Sequence, residues 1–374
     1  MDEYKVGIVT FPVAKGSAVP LYNLSNIFCC LTGQIYIITG NAGGLEIAQK
    51  LEKPHFKLTH YTSGPNVLTR IYNYVKVQLI TAFNMAKFSK NVDLWVLPIA
   101  GDALLPCVAL AKILRKPIIM SLASSSEYVM KYRSDPLAPI VVFFTKANYF
   151  LADRIILYSP ALISEWNLEP YRHKILIAHR HFLDFNTFTV TTPLASRPPL
   201  IGYIGRLSGE KGVQHFVQAL PAILSDRRDL RVLIGGDGQL KEAIEASLQE
   251  QGVSAHVDLP GWISHDDLPR YLNQLRLLVL PSYTEGLPNI MLEAMACGTP
   301  VLATPVGAIP DVIIDGKTGF IMENNSPECI AENVIRALNS PDLERIAEDG
   351  RRFVEENFTF ERVVERWKEV LEET

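Results

Sequence analysis

YTEGLPNIMLEAMACGTPVLATPVG, from Tyr283 to Gly307, predicts a loop, a short helix, a buried strand and a second loop. Pro288 suits the first helical position, where its missing N–H is not needed, and residues 289–296 can continue the helix. Gly298 ends the helix, because glycine readily adopts the left-handed conformation found after helix C-termini. The apolar run that follows predicts a buried strand.

Two glutamates flank the start of this predicted helix. Glu285 lies just before it, and Glu293 lies about a turn and a half inside it. The free amides and the positive dipole end of a helix N-terminus attract phosphate. The pair can therefore bracket a ligand whose phosphate lies between the two carboxylates. Alternatively, both glutamates are solvated charges at a helix end.

Length and composition set the broad class of protein. A chain of 374 residues with 48% hydrophobic residues predicts two globular domains with large interiors. No uninterrupted apolar run is long enough to cross a bilayer, and no cleavable signal pattern is found, which predicts a cytoplasmic location. Five cysteines without metal-ligand spacing fit a reducing compartment.

Charge differs between the two halves of the chain. Residues 1–196 contain 19 Lys and Arg against 12 Asp and Glu, whereas the remainder contains 17 against 28. The basic first half favours an anionic partner, either a phosphorylated acceptor or an anionic membrane surface. Chance variation between large domains is the alternative explanation.

Short apolar runs alternate with helical stretches throughout the chain. The first half contains the runs YKVGIVTF, QIYIITG, FKLTHY, VDLWVLP, PIIMSLAS, DRIILYS and KILIAH. The second half contains PLIGYIGR, LRVLIGG, AHVDLP, LLVLPS, PVLATP and TGFIM. This alternation predicts an α/β protein with two doubly wound, Rossmann-like parallel-sheet domains facing a cleft, and ligands at the carboxyl ends of the strands.

The strand-end loops of the second half contain the candidate binding residues. Arg206 and Lys211 lie on one glycine-rich loop, and two cations there suit a diphosphate. Gly236 belongs to a Gly-Gly-Asp-Gly turn, which is not a dinucleotide fingerprint because a third glycine is missing. The loop from Gly261 to Ile263 offers open backbone groups, and the Ser264 after it is typical of a helix cap.

Together, GRLSGEKG, GGDG, GWIS and EGLPNIMLEAMACGTPVLATPVGAIPDVI resemble the retaining, nucleotide-sugar-dependent glycosyltransferases of family 4, which have the two-domain GT-B fold. The resemblance implies an N-terminal acceptor-binding domain at residues 1–190, a linker at 191–199 and a donor-binding domain at 200–356. Residues 357–374 look like the family's closing helix, which packs back on the first domain.

The resemblance also implies roles for individual residues of the second half. Arg206 and Lys211 would hold the diphosphate and stabilise it as it leaves. Glu285 would bind sugar hydroxyls, and Glu293 would accept hydrogen bonds from ribose hydroxyls. Arg206, Lys211 and Glu285 are thus the predicted catalytic residues. The predicted donor-binding residues are Gly16, Gly236, Gly261, Ile263, Gly286, Leu287, Pro288, Asn289, Ile290 and Glu293.

The first half departs from the family pattern. Its first loop, FPVAKGSAVP, has one glycine, Gly16, where the family usually has several. Many members have a histidine after the strand that here reads PIIMSLAS, and that position falls at Ala123 or Ser124. Segment IAHRHFLDF replaces the family's asparagine-glycine turn. The candidate acceptor-binding residues are Lys15, Ser124, Glu127 and Arg180, with an ordinary turn, a capped helix start and an interdomain salt bridge as alternatives.

The predicted function is retaining transfer of a hexose from a UDP-, GDP- or ADP-linked sugar to a hydroxyl of a sugar, polyol or lipid-linked acceptor. No cofactor or divalent metal is expected, and no nucleic-acid partner. Peripheral membrane association through the basic N-terminal domain is a further expectation. Two alternatives stay open: a nucleotide-sugar epimerase of the same fold, and a non-catalytic nucleotide-sugar-binding partner subunit.

Overall fold

The computed structural model describes residues 4–13, 18–51, 53–123 and 138–374. The chain forms two compact units, Met1–Phe182 with Phe360–Thr374, and Leu183–Thr359. The candidate residues Lys15, Gly16, Ser124 and Glu127 lie outside the described residues.

The first unit contains a seven-stranded parallel sheet with the order β3-β2-β1-β4-β5-β6-β7. Every apolar run predicted in this half contains or overlaps one strand. The strands are β1 Lys5–Val9, β2 Gln34–Gly40, β3 His55–Thr59, β4 Leu94–Pro98, β5 Ile118–Ser121, β6 Arg154–Leu157 and β7 Ile175–Ile177. Its helices up to that point are α1 Ala18–Leu31, α2 Asn41–Lys50, α3 Val67–Phe88, α4 Leu105–Ile113, α5 Ala138–Leu151 and α6 Ala161–Glu165.

The second unit contains a six-stranded parallel sheet with the order β10-β9-β8-β11-β12-β13. Its strands are β8 Leu200–Ile204, β9 Arg231–Gly235, β10 Val257–Gly261, β11 Leu277–Leu280, β12 Val301–Ala303 and β13 Phe320–Ile321. Its helices are α7 Val213–Asp226, α8 Lys241–Glu250, α9 Leu268–Leu272, α10 Asn289–Ala296, α11 Ile309–Val312, α12 Pro327–Leu338 and α13 Leu343–Asn357. Short 3₁₀-helices are Ser89–Asn91, Gly101–Ala103, Glu169–Lys174, Leu194–Ser196, Gly209–Lys211 and Ser254–His256.

These two sheets confirm the predicted fold class of two Rossmann-like parallel-sheet domains. The strands are nearly continuous apolar runs, as expected for sheets covered by helices on both faces. Because all strands of a sheet are parallel, the loops after β8, β9, β11 and β12 gather at one edge of the second sheet.

Residues 191–199, predicted as a linker, are held to the second unit by hydrogen bonds. Arg197 is buried and donates to the carbonyl oxygens of Cys297 at 2.6 Å and Leu275 at 2.9 Å. The Asn273 side chain accepts from the Thr191 amide at 2.8 Å. Burial lowers the pKa of Arg197 to about 10. The structure accordingly places this segment in the second unit, which begins at Leu183.

The last helix, α14 Phe360–Glu372, belongs to the first unit. Its Trp367 is fully buried, with its ring centroid 5.2 Å from that of Phe28 in α1. The indole Nε1 donates to the carbonyl oxygen of His179 at 2.9 Å. The C-terminal helix therefore completes the core of a domain that begins at the other end of the chain.

Candidate functional site

An ion pair joins two loops at the carboxyl edge of the second sheet. Lys211 follows β8, and its Nζ donates to Oε1 of Glu285, which follows β11, at 2.7 Å. Ser282 Oγ donates to the same oxygen at 2.7 Å. β8 and β11 are hydrogen-bonded neighbours, which explains how residues 74 positions apart in the chain meet. The structure thus brings together two of the three residues predicted to be catalytic.

The third, Arg206, lies on the same loop as Lys211 with its side chain 60% exposed. Its guanidinium contacts Glu210 at 3.1 Å, while its carbonyl oxygen accepts from the Tyr203 hydroxyl at 2.6 Å. Burial works against ionisation of Glu210, yet hydrogen bonding from its own backbone amide and the charge of Arg206 bring its pKa below the usual value. The hydrogen bond from Tyr203 holds the backbone of Arg206 in place. The guanidinium of Arg206 is exposed and is able to turn toward an anion.

The helix behind the pair is α10, and it begins one position later than Pro288. Pro288 is extended, with φ −73° and ψ 120°, and is the N-cap rather than the first helical residue. The Gly286 carbonyl accepts from the Ala308 amide at 2.8 Å. Gly307 has φ +63°, and a Cβ there would lie 2.3 Å from the Glu285 carbonyl oxygen. Glycine at 307 therefore lets the loop after β12 close against the backbone that carries Glu285.

Glu293 lies inside α10, and its side chain is almost completely buried. Its Oε1 lies 3.1 Å from Nε2 of His265, which belongs to the loop after β10. His265 also packs edge-on against Phe188, with 5.2 Å between ring centroids. Sequence reasoning missed His265 and Ser282, although both lie beside stretches that it singled out, GWIS and YTEG.

Gly236 and Gly261 shape the neighbouring strand ends. The Gly236 amide donates to the Gly261 carbonyl at 2.8 Å, and Gly236 has φ +138°. A Cβ on Gly236 would lie 1.8 Å from the carbonyl oxygen of Gly205. Gly261 has φ +74° with open space where a Cβ would be, and Ile263 follows it with its side chain against Gly235.

Gly236→Ala should destabilise the second unit by roughly 2 kcal/mol, because a Cβ collides with backbone and the φ value is strained. Urea unfolding followed by circular dichroism measures the loss. Gly252→Ala is the matched control, since Gly252 also has positive φ, +70°, but nothing lies within 4 Å of its Cβ position. Equal stabilities of the two variants would show that the backbone of Gly205 leaves room for a side chain at Gly236.

Arg180 lies beyond β7 and is buried within the first unit. Its guanidinium lies 5.5 Å from the centroid of the Tyr158 ring, and Nη1 lies 3.5 Å from Ser121 Oγ. Ser121 and Tyr158 stand at the ends of β5 and β6, so Arg180 is a buried cation at the carboxyl edge of the first sheet. Burial lowers the pKa of its neighbour His179 to about 4, and burial next to Arg180 lowers that of His181 well below its usual value.

The described residues contain neither a cluster of metal ligands nor a membrane-spanning helix. No group of three or more His, Cys, Asp or Glu is placed to hold a metal ion in the part of the chain that the structure describes. No helix among the described residues combines the length and apolar character needed to cross a bilayer.

Part of the second unit matches a known protein family. Residues 184–353 match the family described as glycosyl transferases group 1. An uncharacterized glycosyltransferase of Methanocaldococcus jannaschii is 31% identical over 46% of this chain and 47% of that protein. The N-acetyl-alpha-D-glucosaminyl L-malate synthase of Bacillus anthracis is 26% identical over 98% of this chain and 96% of that protein. The chain spans less than half the length of several of the curated relatives it matches.

The fold is shared with solved structures over the whole chain. The crystal structure of Anabaena HepE in complex with UDP superposes with a TM-score of 0.79 at 14% identity, covering 99% of this chain and 100% of that one. Fold and matched segment define a two-domain GT-B protein. The segment that matches the family of glycosyl transferases group 1 lies within the second unit.

Proposed function

We propose that the protein is a retaining glycosyltransferase that moves a hexose from a nucleoside-diphosphate sugar to a hydroxyl of a sugar, polyol or lipid-linked acceptor. The observation that carries this proposal is the contact between Lys211 and Glu285 in front of helix α10. It sets a phosphate-binding cation beside a carboxylate suited to sugar hydroxyls, at a helix N-terminus that favours anions.

Each residue then has a distinct task. Lys211 and Arg206 neutralise the diphosphate, and they stabilise the charge that develops as the bond from the anomeric carbon to the phosphate oxygen breaks. Glu285 holds sugar hydroxyls and Glu293 holds ribose hydroxyls. In the proposed reaction the acceptor oxygen bonds to the anomeric carbon on the face that the nucleotide leaves, and its proton passes to the departing phosphate.

The amides at the start of α10 add to the binding of the diphosphate. They belong to the turn from Gly286 to Ile290, in which Pro288 itself has no N–H. Two cations and these amides supply the positive charge that a diphosphate requires, and the proposal therefore includes no divalent metal. UDP is the first nucleotide to test, because Anabaena HepE was crystallised with it.

We expect one of UDP, GDP or ADP to raise the stability of the wild-type protein by about 2.7 kcal/mol at a hundred times its dissociation constant. Thermal unfolding in a buffer with EDTA measures this and tests metal independence together. Glu293→Ala should lose most of the effect, because its carboxylate is the proposed ribose ligand.

Glu242→Ala is the matched control, since Glu242 is an exposed glutamate of α8, and it should respond like the wild type. Measuring both variants without ligand shows whether Glu293→Ala is folded. Stabilisation that appears only after Mg²⁺ is added would overturn the metal-free site. An unchanged response of folded Glu293→Ala would overturn the role of Glu293.

A further inference from the structure

Helices α3, α4 and α5 form one layer against the sheet of the first unit. α3 packs on β1, β2 and β3, α4 packs on α3, and α5 packs on α4. The layer leaves large apolar side chains in solvent, with Leu68 79% exposed and Phe150 75% exposed. The exposed apolar residues of the layer are Val67, Leu68, Ile71, Tyr72, Val75, Leu79, Ile80, Phe83, Ile113, Phe143 and Phe150.

Five of the eight exposed apolar residues of α3 form one stripe. At 3.6 residues per turn, Leu68, Tyr72, Val75, Leu79 and Phe83 fall within roughly 80° of the helix circumference. The opposite side of the helix buries a different set, Val77, Gln78, Thr81 and Met85. α3 therefore has a second apolar face that the described protein does not cover. Single exposed apolar residues are normal on protein surfaces, but a stripe of this length marks an interaction site.

The charged side chains of these three helices are all of one sign. Residues 67–88, 105–113 and 138–151, which form the three helices, contain no Asp or Glu. Lys76 and Lys87 are exposed on α3, and the Lys87 Nζ lies 4.2 Å from the centroid of the Phe83 ring. Lysines beside an apolar stripe, with acids absent, are typical of a helix that lies in a membrane interface.

We propose that the outer face of α3 docks on the surface of an anionic lipid bilayer, with α4 and α5 beside it. Apolar side chains would enter the acyl boundary, and Lys76 and Lys87 would contact lipid phosphates. The stripe runs from Leu68 to Phe83, which at 1.5 Å per residue gives an apolar strip about 23 Å long lying in the membrane plane. A second copy of the chain is a poorer occupant, because a twofold interface would place the same basic, acid-free helices against each other.

Flotation with vesicles tests this surface without any need for activity. Wild-type protein should float with phosphatidylglycerol–phosphatidylcholine vesicles and much less with pure phosphatidylcholine, and salt should weaken the binding. The triple variant Leu68→Ser, Leu79→Ser, Phe83→Ser should bind at least tenfold more weakly. Lys76→Gln with Lys87→Gln should lose mainly the preference for the anionic lipid.

Leu45→Ser is the matched control, since Leu45 is 52% exposed on α2, outside this layer, and its binding should equal that of the wild type. Circular dichroism confirms that each variant is folded. Wild-type protein that fails to float with anionic vesicles would overturn the proposal. So would a wild-type dimer, measured by sedimentation without lipid, that becomes a monomer in the triple variant.

Discussion

Lys211→Ala is expected to lower the turnover of the nucleotide-sugar donor by about 10²–10³-fold and to weaken nucleotide binding. In the proposed reaction the leaving diphosphate gains negative charge beside Lys211, and the variant removes the positive charge that would stabilise it. In the structure Lys211 is held 2.7 Å from Glu285, so little reorganisation is needed to present it to a ligand. Steady-state kinetics with the donor identified by thermal unfolding measures both effects.

Two controls separate catalysis from folding. Lys211→Ala leaves the largely buried Glu285 carboxylate without its cation, which can destabilise the protein by itself. The double variant Lys211→Ala with Glu285→Gln removes that charge and should restore stability but not turnover. Lys317→Ala, at an exposed lysine of the second unit, should behave like the wild type. Unchanged kinetics of Lys211→Ala would rule out its assigned role.

Glu285→Ala separates an enzyme from a partner subunit. A glycosyltransferase should lose turnover while staying folded, because the sugar hydroxyls lose their carboxylate. A non-catalytic binding subunit would leave the activity of its partner intact. The same donor incubated without acceptor tests the epimerase alternative, since an epimerase would convert the donor sugar and a transferase would leave it unchanged apart from slow hydrolysis.

Acid should destabilise the first unit well before its carboxylates titrate. The pKa of His179 is about 4 in the folded protein, against an ordinary value of 6.5. As pH falls from 6.5 toward 4, the unfolded chain gains a proton on this histidine and the folded chain does not, so stability is lost. This difference in pKa predicts that the free energy of unfolding falls by about 2 kcal/mol between pH 7 and pH 5. His181, whose pKa is also lowered, should add to the loss.

Tryptophan fluorescence can follow the acid destabilisation of the first unit. Trp95, Trp166 and Trp367 are buried in that unit, whereas the fourth tryptophan, Trp262, is exposed in the second. Urea titrations between pH 7.5 and pH 5 should show the midpoint falling. His179→Gln should weaken this dependence and leave the part that comes from His181, whereas His173→Gln, at an exposed histidine, should keep it in full. A midpoint that is independent of pH would contradict the buried neutral state of His179.

The sequence was sufficient to predict the strands, because each is a short apolar run with turn residues at both ends. Glycines and prolines made the helix at 289–296 equally legible, and only the position of Pro288 differed by one residue. The meeting of Lys211 with Glu285 could be expected from family resemblance and strand topology, since both follow strands of one sheet. The partner of Glu293 could not, because the contact with His265 depends on the path of the loop after β10.

The first unit was harder to predict beyond its sheet. Arg180 was expected at an acceptor or in an interdomain salt bridge, whereas its described contacts are the Tyr158 ring and Ser121 within the same unit. The segment after β7 is buried because it packs against the ends of neighbouring strands. Hydrophobic periodicity along the sequence does not show which strand ends are neighbours. Likewise, the apolar side chains of α3 gave a clear helical period, but a sequence does not say which apolar face the sheet will cover.

The placement of α14 has a consequence for synthesis on the ribosome. The first unit needs Trp367 and its neighbours in its core, yet residues 183–359 emerge between its two parts. The second unit is contiguous and can fold as soon as it leaves the exit tunnel, whereas the first must wait with its α1 side uncovered. The domain translated first is therefore the one completed last, and a ribosome that stalls after residue 359 would release a chain whose leading domain is open to chaperones and proteases.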